Sequence, residues 1–408
     1  MVAADEFVFD IEQYERRTWE VGGHLEGTAE YLRANRKSAV YQLNFPDENK
    51  KAFERYQGNL EVSGLYRSEP FSLHSLLNVR YRDDIFETRS DIQFFQLYVI
   101  GEPTLRTKVE VGKRALRWGT GYAFNPTAFL ERPKDPVDPD LSREGFIIAG
   151  TEYIRSFSGP IQAFSLSGTI LPVTGDINDD FGPENDINLA VRSYLLYRDT
   201  DIYFMVRHGD SRPTAFGTAF SRNLADNFEI HGEFAWFDNR EIRVAPDADN
   251  VPVTRKADPF DLLAGLRYLS VAETTWIIEY YRNGAGYTGS EIRRMATLAR
   301  ENIIFPGLDR GASRIGRPEF GAPQPMRDYL YVRAMHNEPF DRLYTRAGAT
   351  LMINLQDGSA SIIPEIAYTG FTNLELRGRI AILTGGRNTD FGERLNRWRT
   401  EIRARYFF

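Results

Sequence analysis

Apolar and polar positions alternate along most of this chain. At its end, Trp398, Thr400, Ile402, Ala404, Tyr406 and Phe408 share one parity, while Arg397, Arg399, Glu401, Arg403, Arg405 and then Phe407 share the other. A period of two sends successive side chains to opposite faces, so this segment reads as a strand with one apolar and one charged face. The same alternation, punctuated by turn residues, predicts strands near 19–33, 54–67, 71–82, 90–100, 104–115, 144–156, 160–171, 187–198, 200–208, 213–223, 226–241, 258–270, 272–283, 326–338, 342–355, 358–370, 372–385 and 396–408. That makes eighteen, an even number, with sixteen as the alternative.

The links between these segments differ by parity. Alternate ones are brief: Arg67-Ser68-Glu69-Pro70, Gly101-Glu102-Pro103, Phe157-Ser158-Gly159, Arg198-Asp199-Thr200, Ala225-Asp226, Ser270-Val271, Asn337-Glu338-Pro339 and Gly370-Phe371. The other set holds the long links, near 34–53, 116–143, 172–186, 242–257 and 284–325, with shorter ones at 83–89, 209–212 and 356–357. A soluble β-sandwich has no reason to sort loop length this way, whereas a membrane barrel has short turns at one rim and long loops at the other. The expected fold is all-β, a transmembrane antiparallel up-and-down β-barrel forming a single domain over residues 1–408.

Energy decides which face meets lipid. Turning the last strand over would put four arginines into hydrocarbon at roughly 2–4 kcal/mol each near the midplane, a loss comparable to the stability of a whole domain. The apolar parity therefore points outward. The same rule puts Leu374, Leu376, Ile380 and Ile382 outside, with Glu375, Arg377 and Arg379 inside. Near the start it puts Trp19, Val21, Leu25, Ala29 and Tyr31 outside, with Glu20, His24, Glu26 and Glu30 inside. Phe228, Ile230, Phe234 and Trp236 likewise oppose Glu229, His231 and Glu233. The interior is expected to be polar and to hold water. Pore-lining candidates are Arg377, Arg379, Arg397, Arg399, Arg403 and Arg405 with Glu20, Glu26, Glu30, Glu375 and Glu401. Closing the ring sets the arginine-rich last strand beside the glutamate-rich first one. Those charges then either pair to hold the wall or also steer anionic solutes.

Composition removes other classes. No apolar run approaches the ~18 residues of a membrane helix, and mean hydropathy is −0.42. The absence of cysteine excludes disulfides, thiolate metal sites and a cysteine nucleophile. A net charge of −7 argues against a nucleic-acid partner. His24, His74, His208, His231 and His336 lack metal-ligand spacing, and no G-x-S-x-G elbow occurs. No metal, no cofactor and no catalysis are expected, the one compact polar grouping being His208 with Asp210 and Ser211. The start, Met1–Phe7, has no secretion signal, which suits either a cytoplasmic chain or an end from which a signal has been removed.

Two stretches carry more specific signals. Gly284-Ala285-Gly286-Tyr287-Thr288-Gly289, with Asp309 beyond, matches a dinucleotide fingerprint, but the strand before it holds Trp276, Glu279 and Arg282 rather than the apolar run of a buried parallel strand. A loop with a short helix near 290–301, opened by Ser290, is the expectation. The second stretch is Trp118-Gly119-Thr120-Gly121-Tyr122-Ala123-Phe124-Asn125-Pro126-Thr127, followed by Asp135, Asp138 and Asp140. Its glycine and proline density forbids regular structure and fits a long, rigid loop. This W-G-x-G segment with its N-P and acidic-proline continuation resembles porin-like outer-membrane barrels of the alginate-export-like type, and the terminal Phe408 resembles their C-terminal assembly signature. The resemblance implies a loop folded into the lumen as a constriction, with Trp118, Tyr122, Asn125, Arg132, Lys134, Asp135 and Asp138 as its residues. An outward cover is the alternative, and the three aspartates could also hold calcium.

The resulting expectation is a passive channel in the bacterial outer membrane, in contact with lipid and passing small polar or anionic solutes. The alternative is a sheath around a periplasmic protein partner such as a multihaem cytochrome, which would require an unobstructed lumen.

Overall fold

The computed structural model describes residues 17–45, 48–183, 186–244, 253–300 and 324–408; the Met1–Phe7 segment and Asp309 lie outside them. Eighteen strands form one antiparallel sheet that closes on itself. They are β1 (Trp19–Ala34), β2 (Ala52–Ser68), β3 (Phe71–Asp83), β4 (Thr88–Thr104), β5 (Thr107–Arg114), β6 (Phe146–Ser156), β7 (Ile161–Val173), β8 (Asp186–Tyr197), β9 (Thr200–His208), β10 (Ala215–Ala225), β11 (Phe228–Phe237), β14 (Phe260–Leu269), β15 (Thr274–Arg282), β16 (Asp328–Asn337), β17 (Thr345–Asn354), β18 (Ala360–Phe371), β19 (Leu374–Thr384) and β20 (Asn396–Phe407). Each pairs with its neighbour in sequence, and β20 returns to β1 with Glu26 opposite Arg405 and Thr28 opposite Arg403. The remaining pair, β12 (Arg240–Val244) and β13 (Val253–Ala257), forms a separate hairpin inside the long link after β11.

All eighteen expected segments are strands, so the sixteen-strand alternative falls. One turn moved. Gly101-Glu102-Pro103 lies within β4, because Gly101 and Thr104 still pair with Val109 and Thr107 across a register shift, leaving the reversal to Leu105 and Arg106.

The outer surface carries large, mostly exposed apolar side chains, among them Trp19, Val21, Leu25, Phe204 and Ile402. Aromatic rings gather in two bands. Phe228–Tyr268 and Tyr368–Phe371 lie toward the short-turn rim, and Tyr31–Trp398, Phe216–Trp236 and Phe234–Phe260 toward the long-loop rim, with centroids 5.5–6.2 Å apart. From Trp19 to Tyr31 the strand climbs about 30 Å at the usual barrel tilt, close to a bilayer's apolar thickness. An apolar surface of this extent meets hydrocarbon, with its aromatic bands at the two interfaces. Ile402, 66 % exposed, sits midway between the bands on β20. Ile402→Arg is expected to destabilise the lipid-embedded barrel by about 2–4 kcal/mol, measured by denaturant titration in lipid vesicles; an unchanged midpoint would contradict the outward assignment.

The interior departs from the expectation of water throughout. At the long-loop end, α1 (Ala39–Asn44) and α2 (Gly289–Arg300) fold inward and place Val40, Ile292 and Met295 in one apolar cluster with Phe124, Tyr329 and Phe391. A second cluster joins Trp118, Phe129 and Leu130 to the inward residues Phe146, Leu171 and Met205. Inward strand positions near this rim are apolar because they receive loops rather than water. The helix at 289–300 is capped by Thr288 and not, as expected, by Ser290: Thr288 Oγ1 accepts from Glu291 N–H, and Glu291 Oε2 accepts from Thr288 N–H at 2.7 Å. The 34–53 link contains the unpredicted α1, whose Ser38 hydroxyl accepts from Tyr41 N–H at 3.1 Å.

Candidate functional site

The loop from residue 115 to 145 leaves β5, crosses the lumen and returns to β6. An irregular segment inside a barrel exposes backbone donors that must find acceptors. Two inward carboxylates on the far wall supply them. Glu233 of β11 accepts from Thr120 N–H at 2.6 Å, Gly121 N–H at 2.7 Å, Thr127 N–H at 3.0 Å and the Thr127 hydroxyl at 2.6 Å. Glu279 of β15 accepts from Tyr122 N–H at 2.5 Å and Ala123 N–H at 2.9 Å, and its Oε1 lies 3.0 Å from His231 Nε2. The W-G-x-G sequence has a physical reason here. Gly119 has φ +84°, and a Cβ on it would come 2.7 Å from Glu233 Oε1, while one on Gly121 would come 2.2 Å from Phe124 O.

A second anchor holds the other arm. Asp138 reaches the seam, 2.5 Å from Arg377 Nη2, 3.0 Å from Arg403 Nη2 and 3.3 Å from Arg379 Nη2. Arg379 Nη1 also donates to Val137 O at 3.3 Å, and Arg379 Nε to Glu401 at 2.6 Å. Burial alone would raise the Asp138 carboxyl, but Arg377, with Arg403 and Arg379, overrides it and holds it well below the usual carboxylate range. A carboxylate surrounded by three guanidiniums is not a calcium ligand, so the calcium reading of the aspartates is overturned. Asp135 serves the backbone instead, accepting from Val137 N–H at 2.9 Å.

The seam arginines are largely engaged. Arg405 pairs with Glu26 at 2.6 Å, Arg399 with Glu30 at 3.3 Å, Arg346 with Glu375 at 3.7 Å and Arg67 with Glu20 at 2.6 Å, while exposed Arg397 donates to Asn35 Oδ1 at 3.4 Å. Arg379, Arg403, Glu30 and Glu401 are buried, so the expected open arginine ladder is instead an interlocked set of pairs lying partly beneath the loop.

The other loop candidates have mixed positions. Tyr122 donates its hydroxyl to Glu229 at 2.9 Å and packs edge-on to His231. Asn125 accepts from Lys134 N–H at 3.4 Å, and Lys134 donates to Gly121 O. Arg132 bridges Glu144, at 3.3 Å, and Asp180, and lies over the Phe146 ring. Trp118 is buried, its backbone N–H donating to Glu131. Burial pushes Glu131 up to about 7 against the opposing pull of that N–H and of Arg143. A carboxyl raised in the folded state contributes stability that is fully present below its unfolded value of 4.5 and lost as pH rises through about 7. Glu131→Gln should therefore raise the melting temperature at pH 8 and leave it nearly unchanged at pH 4; equal effects at both would refute this.

Between the loop and the wall of β4 to β8 lies a polar cavity of about 580 Å³, lined by Tyr98, Glu110, Arg114, Arg117, Glu152 and Arg192 among others. Arg114 lies 5.0 Å over the Tyr98 ring, and Arg192 sits between Trp118 and Tyr203 at 5.9 and 5.7 Å. Glu233, Glu279 and this wall were absent from the sequence candidates. Their signal was inward-facing carboxylates on strands that must face a loop rich in unpaired N–H groups.

Other sequence signals resolve locally. His208 points outward, its Nδ1 2.9 Å from the Thr214 hydroxyl, whereas Ser211 meets Asn188 and Asp186, so the grouping does not converge. The G-x-G-x-x-G run follows an antiparallel strand; Gly284 is required because a Cβ would lie 2.2 Å from Phe260 O.

No family model matches this sequence, and no curated protein is detectably similar. Among solved structures, OccK5 of Pseudomonas aeruginosa superposes with a TM-score of 0.53 at 10% identity, covering 95% of this chain and 98% of that one. A triple mutant of the Rhodopseudomonas blastica porin gives a TM-score of 0.47 at 9% identity over 96% of this chain and 100% of that chain. The OccK5 likeness is one of fold, a closed β-barrel of porin type.

Proposed function

We propose that this chain is a diffusion channel of the bacterial outer membrane, passing small polar solutes, anions included, down their gradient. One observation carries the reading. The loop is held across the lumen from two sides, by Glu233 and Glu279 on one and by Arg377, Arg379 and Arg403 on the other, and leaves a charged cavity against the β4–β8 wall. A fixed obstruction beside a wet, charged opening excludes by size and attracts by charge. Arg114, Arg117 and Arg192 join the partly exposed Arg397, Arg399 and Arg405 as the residues that set selectivity, with Glu20, Glu26 and Glu375 as counter-charges. The placement among alginate-export-like barrels rests on Trp118–Thr127, its acidic-proline continuation through Asp140 and the terminal Phe408. A sheath for a periplasmic protein is disfavoured, because the crossing loop takes up the space that such a partner needs. Liposomes containing the purified chain should swell in small sugars and small carboxylates at rates falling steeply with solute size; swelling no faster than empty liposomes would refute the channel.

A further inference from the structure

A second cavity, of about 840 Å³, opens between the crossing loop and the links after β9 and β11. Arg207, on the inward parity of β9, lines it and is 2 % exposed. Its Nη2 donates to Pro213 O, but Nε and Nη1 have no hydrogen-bond partner among the described residues. Its charged neighbours repel it. Arg212 lies 3.8 Å over the Phe181 ring, and Arg207 lies 5.9 Å over the same ring. The acids that share the lining are committed or peripheral. Asp261 is paired with Arg240 at 3.4 Å and accepts from Gly284 N–H; Glu131 is paired with Arg143 at 3.0 Å; Glu241 stands opposite Lys256 in the β12–β13 hairpin. Asp210 and Asp238 are exposed to solvent.

A buried guanidinium with open donors and, among the described residues, no paired counter-charge is strongly unfavourable, and its fork matches carboxylate, phosphate and sulfate oxygens. We infer that this cavity is an oxyanion site, in which a free solute anion entering the lumen takes the open donors of Arg207, with Arg212 adding its field. The inward position of Arg207 separates the site from lipid headgroups on the outer surface. The inference rests on the channel reading only for the route by which the anion arrives; binding does not require it.

The test is calorimetric titration of the detergent-purified chain with inorganic phosphate at constant ionic strength. One saturable site is expected, weakened at least about tenfold by Arg207→Met. In chloride alone the R207M variant should melt higher than the wild type, since it removes an uncompensated charge, and phosphate should no longer raise its melting temperature. No saturable phosphate binding by the wild type, or equal binding by R207M, overturns the site. Should R207M fail to fold, as judged by lost heat-dependent gel mobility, R207K replaces it: its shorter reach should also weaken binding, and unchanged affinity overturns the site. A barrel that binds phosphate without conducting fails the channel reading alone, and one that conducts without binding fails this inference alone.

Discussion

Glu233→Ala is expected to free the crossing loop and raise single-channel conductance. The carboxylate is 2 % exposed and receives three backbone N–H groups and one hydroxyl from residues 120–127. Alanine removes every one of these acceptors, and each buried donor left unpaired costs about 1–3 kcal/mol. The segment then gains more by swinging into water than by staying in place. Loss of the anchor should lower barrel stability by at least about 1–3 kcal/mol, the cost of one donor left unpaired, with Glu233→Gln milder because the amide oxygen still accepts. Planar-bilayer recording of the variants beside the wild type checks the order, Ala above Gln above wild type in conductance. Unchanged conductance in the alanine variant would show that the loop is held without Glu233.

Asp138→Asn should move ion selectivity toward anions. Three guanidiniums, those of Arg377, Arg379 and Arg403, converge on this one carboxylate, and the amide leaves them one negative charge short. In a confined low-dielectric space such a charge acts over the whole opening. Reversal potentials in a salt gradient should shift accordingly, with a stability loss of about 3–5 kcal/mol from the uncompensated arginines. Neutralising Arg377 instead should shift reversal the other way, and the two changes together should cost less than their sum, because each removes the other's partner. Additive losses with no change in selectivity would reduce the Asp138 cluster to a structural clasp remote from the ion path.

The architecture was legible because one physical rule acts on every strand: what faces lipid must be apolar and what faces the lumen need not be. Strand β20 shows it in twelve letters, and the short reversals at Arg198-Asp199 and Asn373 repeat the phase. The site was legible only in part. Trp118–Thr127 marked the loop by composition, and parity marked Glu229, His231 and Glu233 as inward, yet their meeting depends on β5 and β11 facing across the ring, a separation that no local pattern reports. The sequence marks the inward arginines but not their pairing. Arg379 and Arg403 are buried against Asp138 and Glu401 because the loop folds over them. Apolar packing near the long-loop rim was hidden for the same reason, since inward Leu171 and Met205 look like exceptions until Trp118 and Phe129 arrive to cover them.

On the proposed reading, lipid surrounds this chain while water passes through it. Addition of the purified chain, without any partner, to a planar lipid bilayer in potassium chloride tests it most directly. Stepwise, ohmic increases in current with uniform unit size are expected. A chain that stays soluble without detergent and leaves the bilayer insulating would contradict it.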